Sequence, residues 1–199
     1  MEIYKIEDYK KNRKLVYLEE GTPAFCLYKK EIEQFALEEG KEIEAGVYDE
    51  LISLLSKRAR ERCLYLLDDM SRTEYQLRSR LKDGFYPEEA VENAISYCKE
   101  KHYIDDRDYA ERYVSIKSDT LSVCMIKRKL LEKGISREII SEVLEDSDIT
   151  EADTVRRLIQ RKYGDISGYD DEQKQKLIRR LLSRGFGYDS IKKAVERDI

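Results

Sequence analysis

Histidine is almost absent from this chain of 199 residues, His102 being the only one. A lone imidazole excludes metal sites built from paired histidines and leaves at most one Ser–His or Cys–His arrangement. His102 falls one turn beyond Cys98 on an apolar helical stripe, near the predicted helix C-terminus, so a packed or dipole-compensating role is expected for it. The nine glycines form neither GxxxxGK[ST] nor GxGxxG, which leaves nucleotide binding through a phosphate loop without support. The four cysteines, Cys26, Cys63, Cys98 and Cys124, make no CxxC pair and no disulfide-dense framework. Reduced core thiols are expected, with Cys63 and Cys98 on the apolar stripes of helices. No apolar run approaches the roughly 20 residues needed to span a bilayer, and the opening Met1-Glu2-Ile3-Tyr4-Lys5 lacks the pattern of a signal peptide. A cytoplasmic protein with no membrane contact is expected. Carboxylate pairs such as Asp68-Asp69, Asp105-Asp106 and Asp170-Asp171 sit at helix edges, where capping and solvation explain them. With no convergent nucleophile, base and electrophile, no catalytic residue, metal ligand or cofactor is assigned, and an enzyme is not expected.

What the chain has in abundance is charge, at 40% of residues, with a mean hydropathy of −0.71. Several small helical cores suit that composition better than one large core. The signs alternate along helix faces instead of forming blocks, and 41% apolar residues with 15 tyrosines supply material to bury, which argues against disorder. Residues 1–50 hold 8 Lys/Arg against 13 Asp/Glu, leaving 30 against 29 in the remainder. With a near-neutral remainder, attraction to nucleic acid by bulk charge is not expected, so any basic surface must be local.

One apolar pattern occurs three times. Leu77/Leu81/Tyr86/Val91/Ile95 recurs without gaps as Ile126/Leu130/Ile135/Ile140/Leu144 and as Leu177/Leu181/Phe186/Ile191/Val195, at offsets of 49 and 51 residues. Such self-similarity marks a repeat array. Each copy reads as a helix, a tight turn and a second helix, with Gly134 and Gly185 at the later turns. In the first copy Gly84 comes one residue early and Phe85 holds the equivalent place, so that turn is expected to differ. An amphipathic stretch precedes each pair: Ala59/Cys63/Leu66/Leu67/Met70, then Tyr109/Ala110/Tyr113/Val114, then Val155/Leu158/Ile159. Three helices per unit can close a small core.

The fold expected is mainly α, an elongated array of tandem three-helix repeats at residues 55–103, 104–148 and 149–199, preceded by a β-rich extension over residues 1–50. In the extension, β-prone runs at Ile3–Tyr9, Leu15–Leu18 and Ala24–Leu27 predict a hairpin or three-stranded sheet, leaning on a helix over 29–39 that ends at Gly40. Asp49 to Met70 follows as one or two helices. Ser71 or Thr73, Pro87, and Asp105 or Asp106 are candidate helix starts.

The feature above background is basic and periodic. Between the apolar positions of the repeated helix lie Arg78 and Arg80, then Lys127, Arg128 and Lys129, then Arg179 and Arg180, followed by Lys82, Lys133 and Arg184. If the apolar residues face each core, these cations share an outer face in every unit. Rows of that kind suit an acidic protein surface or a phosphate backbone, with Arg making forked contacts to either. The competing expectation is an ordinary solvated face with ion pairs to Glu74, Glu132 or Glu138.

Four strings carry a family resemblance: Tyr103-Ile104-Asp105-Asp106 running on to Tyr109-Ala110 and Tyr113-Val114; Arg72-Thr73-Glu74-Tyr75-Gln76-Leu77-Arg78 and Leu81; Lys129-Leu130-Leu131-Glu132-Lys133-Gly134-Ile135; and Leu181-Leu182-Ser183-Arg184-Gly185-Phe186 with Ile191. In their order and spacing the chain resembles the RecX family, bacterial regulators of the RecA recombinase, over about residues 55–197. The resemblance implies tandem three-helix repeats in an elongated, curved molecule. It further implies binding in the groove of the RecA–DNA filament, with single- or double-stranded DNA in the filament as a further partner, and restraint of its ATPase and strand exchange; a monomer is expected. A direct DNA-binding helical module and a helical adaptor for another protein are the alternatives.

Overall fold

The structure is a computed structural model that describes residues 1–146 and 151–196. The expected repeat boundary at 148/149 lies outside the described residues. Among them are three strands and ten helices.

The N-terminal runs form one antiparallel sheet. β1 (Lys5–Tyr9) pairs with β2 (Arg13–Tyr17), placing Ile6 opposite Val16, and β3 (Phe25–Tyr28) adds to β2 with Leu15 opposite Cys26. A sheet of this size is marginal in water by itself. Here Ile3, Val16, Phe25 and Leu27 close a core with Leu37 and Ile43, against Leu51 and Leu55 of the long helix α2 (Ala45–Asp69). Short α1 (Lys29–Gln34) stops well before Gly40. Ala36 takes a left-handed φ of 49°, and the chain turns so that Leu37 enters the sheet's core. The expected helix over 29–39 is thereby shortened by the demand for one buried leucine. α2 is continuous and serves two cores, with Ala59, Cys63 and Leu66 of its second half packing on the next two helices.

Those are α3 (Glu74–Lys82) and α4 (Glu88–Glu100). α5 (Asp106–Lys117), α6 (Val123–Glu132) and α7 (Arg137–Glu145) form a second trio, and α8 (Glu151–Tyr163), α9 (Asp171–Leu182) and α10 (Tyr188–Glu196) a third. Each trio has its own hydrophobic core, and every position of the threefold ladder lies in one, Tyr86 and Leu144 at the half-buried margins. Full burial of a Leu or Ile side chain is worth about 1.5–3 kcal/mol, so each core rests on a few ladder residues. Met70 is an exception to the expected stripe, at 56% exposed just past the end of α2. Cys63 and Cys98 meet in the first core, where hydrogen bonding to Cys98 and burial push the Cys63 thiol up. Cys124 is exposed and is not a core thiol.

Caps fix the helix starts. Thr73 accepts from the Gln76 backbone N–H at 3.3 Å, Ser122 from Met125 at 3.2 Å, Ser136 from Ile139 at 3.3 Å and Asp170 from Gln173 at 2.7 Å. Pro87 stands one position ahead of the first turn of α4. The three inter-helix turns share one backbone: Phe85, Gly134 and Gly185 all have positive φ, at 56°, 81° and 83°. In each, the next residue's N–H returns to the carbonyl four residues before the left-handed position, Tyr86 to Leu81, Ile135 to Leu130 and Phe186 to Leu181. The first turn was expected to differ, yet its path matches the others. Phe85 is held by its neighbours: its carbonyl accepts from Cys26 N–H at 3.1 Å, and its ring meets Tyr9 edge-on at 5.4 Å. Gly84 serves a separate need, because a Cβ there would lie 3.0 Å from the Tyr86 ring. His102, expected to pack or to compensate the helix dipole, does not pack: it is exposed just past the C-terminus of α4 with φ 54°, its N–H bonded to the Lys99 carbonyl.

The chain forms two compact units, one through Asp105 and one from Asp106 onward. Within the second, repeats meet directly: Ser122 N–H donates to the Arg184 carbonyl at 3.3 Å, and Gly185 sits against Ser122 and Met125. Among the described residues no helix is long and apolar enough to cross a membrane.

Candidate partner-binding surface

On α3 the buried Leu77 and Leu81 turn the intervening charges outward, but those charges are largely spent within the repeat. Arg78 donates through Nε to Glu74 at 2.7 Å and through both terminal nitrogens to Glu92, at 2.5 and 2.9 Å. Lys99 also bonds Glu74. Burial pushes the Glu74 carboxyl up, but hydrogen bonds from Lys99 and Arg78 outweigh it and hold the group below its ordinary value; the Arg78 bond does the same for Glu92. Arg78 is thus a clamp between α3 and α4. Lys82 pairs with Glu88 at 3.1 Å, and Arg80 reaches Asp83 at 3.9 Å. Sequence spacing revealed the Glu74 pair; Glu88 and Glu92 become partners only once α4 folds back.

On α6 the balance differs. Lys127 and Arg128 are exposed and Lys129 is half-buried. Arg128 pairs with Glu132 at 3.5 Å, a contact between two largely exposed groups that adds little. Lys133 caps an aromatic pair, its Nζ 5.7 Å from the ring centres of both Tyr109 and Tyr113, which stack at 6.4 Å. The aromatic stripe of α5 therefore packs the cation inward. On α9, Arg179 bonds the Gln175 carbonyl at 3.4 Å and Arg180 is exposed. Arg184 is half-buried beside Gly185. Among the described residues, Lys127, Lys129, Arg180 and Arg184 have no carboxylate within ion-pair distance. The two expectations for the basic rows thus divide by repeat: an internally neutralised face on α3, and open cations on α6 and α9. Glu138, named as an ion-pair acceptor, is instead held below its ordinary value by its own backbone N–H and by Ser136.

No group of His, Cys, Asp and Glu among the described residues is arranged to hold a metal ion.

Comparison with known proteins agrees with this architecture. Three family models match in chain order: the first three-helix domain of RecX at residues 59–98, the second at 105–144 and the third at 150–195. The chain is 31% identical to the regulatory protein RecX of Clostridium botulinum strain Eklund 17B, over 99% of this chain and 96% of the relative. It is also 31% identical to that of Caldanaerobacter subterraneus subsp. tengcongensis, over 98% of each. A crystal structure of a regulatory protein RecX superposes with a TM-score of 0.59 at 27% identity, covering 98% of both chains. With the helix trios, their shared turns and this full-length similarity in place, the chain belongs to the RecX family of regulatory proteins.

Proposed function

We propose that this protein binds the RecA recombinase filament as a monomer in the cytoplasm and restrains its ATPase and strand-exchange activities, without catalysis of its own. The observation that carries this is similarity to regulatory RecX proteins over nearly the whole chain, extension included. Repeated units at 55–103, 104–148 and 149–199, behind an extension at 1–50, would offer like surfaces to a partner that is itself periodic. The contact surface is assigned to the basic rows: Lys127, Arg128, Lys129 and Lys133 on and after α6, Arg179, Arg180 and Arg184 on and after α9, and Arg80 and Lys82 on α3, with Arg78 shaping the first row. Their partners are acidic RecA side chains and phosphates of the DNA inside the filament.

The test is titration of the protein into RecA filaments on single-stranded DNA while ATP hydrolysis is followed. Hydrolysis should fall with the unaltered protein. Joint replacement of Lys127, Arg128 and Lys129 by Glu should weaken that effect at unchanged helicity. Undiminished inhibition by the triple variant would remove the rows from the mechanism, and no effect of the unaltered protein on RecA would remove the function.

A further inference from the structure

The N-terminal sheet, α2 and the first repeat's turn enclose a cleft of about 340 Å³, within the range of small-ligand sites. Five cations line it: Lys10 from the β1–β2 turn, Arg13 from β2, Arg58 and Arg62 from one face of α2, and Arg80 from α3. Only one carboxylate, Asp83, is in the lining. They come from four separate elements, so the convergence is invisible in the linear charge pattern.

Five like charges in one concavity repel unless something offsets them. Part of the offset is visible. Arg58 is paired with Glu31, and Arg80 lies 3.9 Å from Asp83. The remaining three, Lys10, Arg13 and Arg62, have no carboxylate within ion-pair distance among the described residues. They are held on aromatic surfaces instead. Arg13 and Arg58 lie over Tyr28 at 5.2 and 4.8 Å, Lys10 over Tyr9 at 4.9 Å, and Arg62 over Tyr65 at 5.3 Å. Arg13 Nη2 also donates to the Tyr28 hydroxyl at 3.2 Å. Stacked and hydrogen-bonded guanidiniums lose little freedom when a ligand arrives, which is what a preorganised anion site needs. The field converges inside the cleft. Burial raises the Tyr86 hydroxyl, while Arg58, Arg13 and Arg62 all act on it in the opposite sense.

We propose that this cleft binds a phosphate-bearing polyanion, two or more linked phosphates held by guanidinium forks and the Lys10 ammonium. A lone carboxylate would leave most of the cations unmatched, whereas linked phosphates offer several charges and a surplus of acceptor oxygens. The ligand is either a free oligophosphate or a stretch of nucleic-acid backbone; both present the same groups. The site shares only Arg80 with the rows assigned to RecA, and it stands whether or not that assignment does.

The test is calorimetric titration of the full-length protein with inorganic tripolyphosphate at low salt. Saturable binding is expected, falling more than about tenfold when Lys10 and Arg62 are both replaced by Glu. Both side chains are exposed, so the fold should survive, and an unchanged urea midpoint would verify it. A second variant, Arg13→Lys, keeps the charge but loses the fork and should weaken binding without abolishing it. A fluorescent oligothymidylate identifies the source: displacement by tripolyphosphate and the same loss in the double variant indicate a strand, while tripolyphosphate binding without displacement indicates a free oligophosphate. Absence of tripolyphosphate binding, or equal binding by the double variant, overturns the proposal.

Discussion

Gly185→Ala is the sharpest probe of how the second and third repeats are joined. Two independent costs fall on this position. Its φ of 83° is a left-handed conformation, which costs a residue with a Cβ about 1–2 kcal/mol. In addition, the new Cβ would lie 2.6 Å from Ser122 Oγ and overlap Met125 Cγ, on the helix start that also donates Ser122 N–H to the Arg184 carbonyl. Overpacking of that kind adds about 1–3 kcal/mol, for a total near 2–5 kcal/mol. Gly164 separates the two effects, because its φ of 69° is also left-handed but a Cβ there meets nothing within 4 Å. Gly164→Ala should therefore cost only about 1–2 kcal/mol. Urea unfolding followed by far-ultraviolet circular dichroism reads the difference: at a slope of about 1–3 kcal/mol/M, an extra 2 kcal/mol moves the midpoint by roughly 0.7–2 M. Equal midpoints for the two variants would refute the close contact at Gly185.

Other outcomes follow from the cores and charges. Leu130→Ala, at a fully buried ladder position, should destabilise by about 2–5 kcal/mol in the same urea experiment. In the folded protein one of four thiols, Cys124, should react readily with Ellman's reagent, and Cys26, Cys63 and Cys98 only on unfolding; rapid reaction of all four would mean the cores are open. Glu74 has a carboxyl held below its ordinary value of 4.5, so its contribution is complete above that pH and is lost as pH falls through the depressed folded value. Glu74→Gln should flatten the acid side of the stability profile, and an unchanged profile would count against the Lys99 and Arg78 contacts.

The helical trios were legible in the sequence because the ladder from Leu77 to Val195 is a local signal, carried by i,i+4 spacing and turn residues within each copy. At α1 and at the first turn, a contact distant in sequence overrode the local expectation. Ala36 cuts α1 short to deliver Leu37 to the sheet's core, and Phe85 adopts a glycine-like backbone because Tyr9 and Cys26 hold it from the extension. The basic rows were legible as positions but not as free or spent charges, since Arg78 is neutralised by Glu92, 14 residues away. The basic cleft left one trace, Arg58 and Arg62 at i,i+4 on α2; Lys10, Arg13 and Arg80 join them only through the tertiary fold.

The corner between paired helices has a second use. At Phe85 its carbonyl is gripped by a strand, and one residue earlier in the third copy, at Arg184, by the capping residue of a neighbouring helix. Attachment through peptide oxygens asks no particular chemistry of the side chains that flank it, only room, which Gly185 supplies in the third copy. Copies of such a unit can therefore drift far apart in composition and still dock new neighbours, provided the bend itself survives.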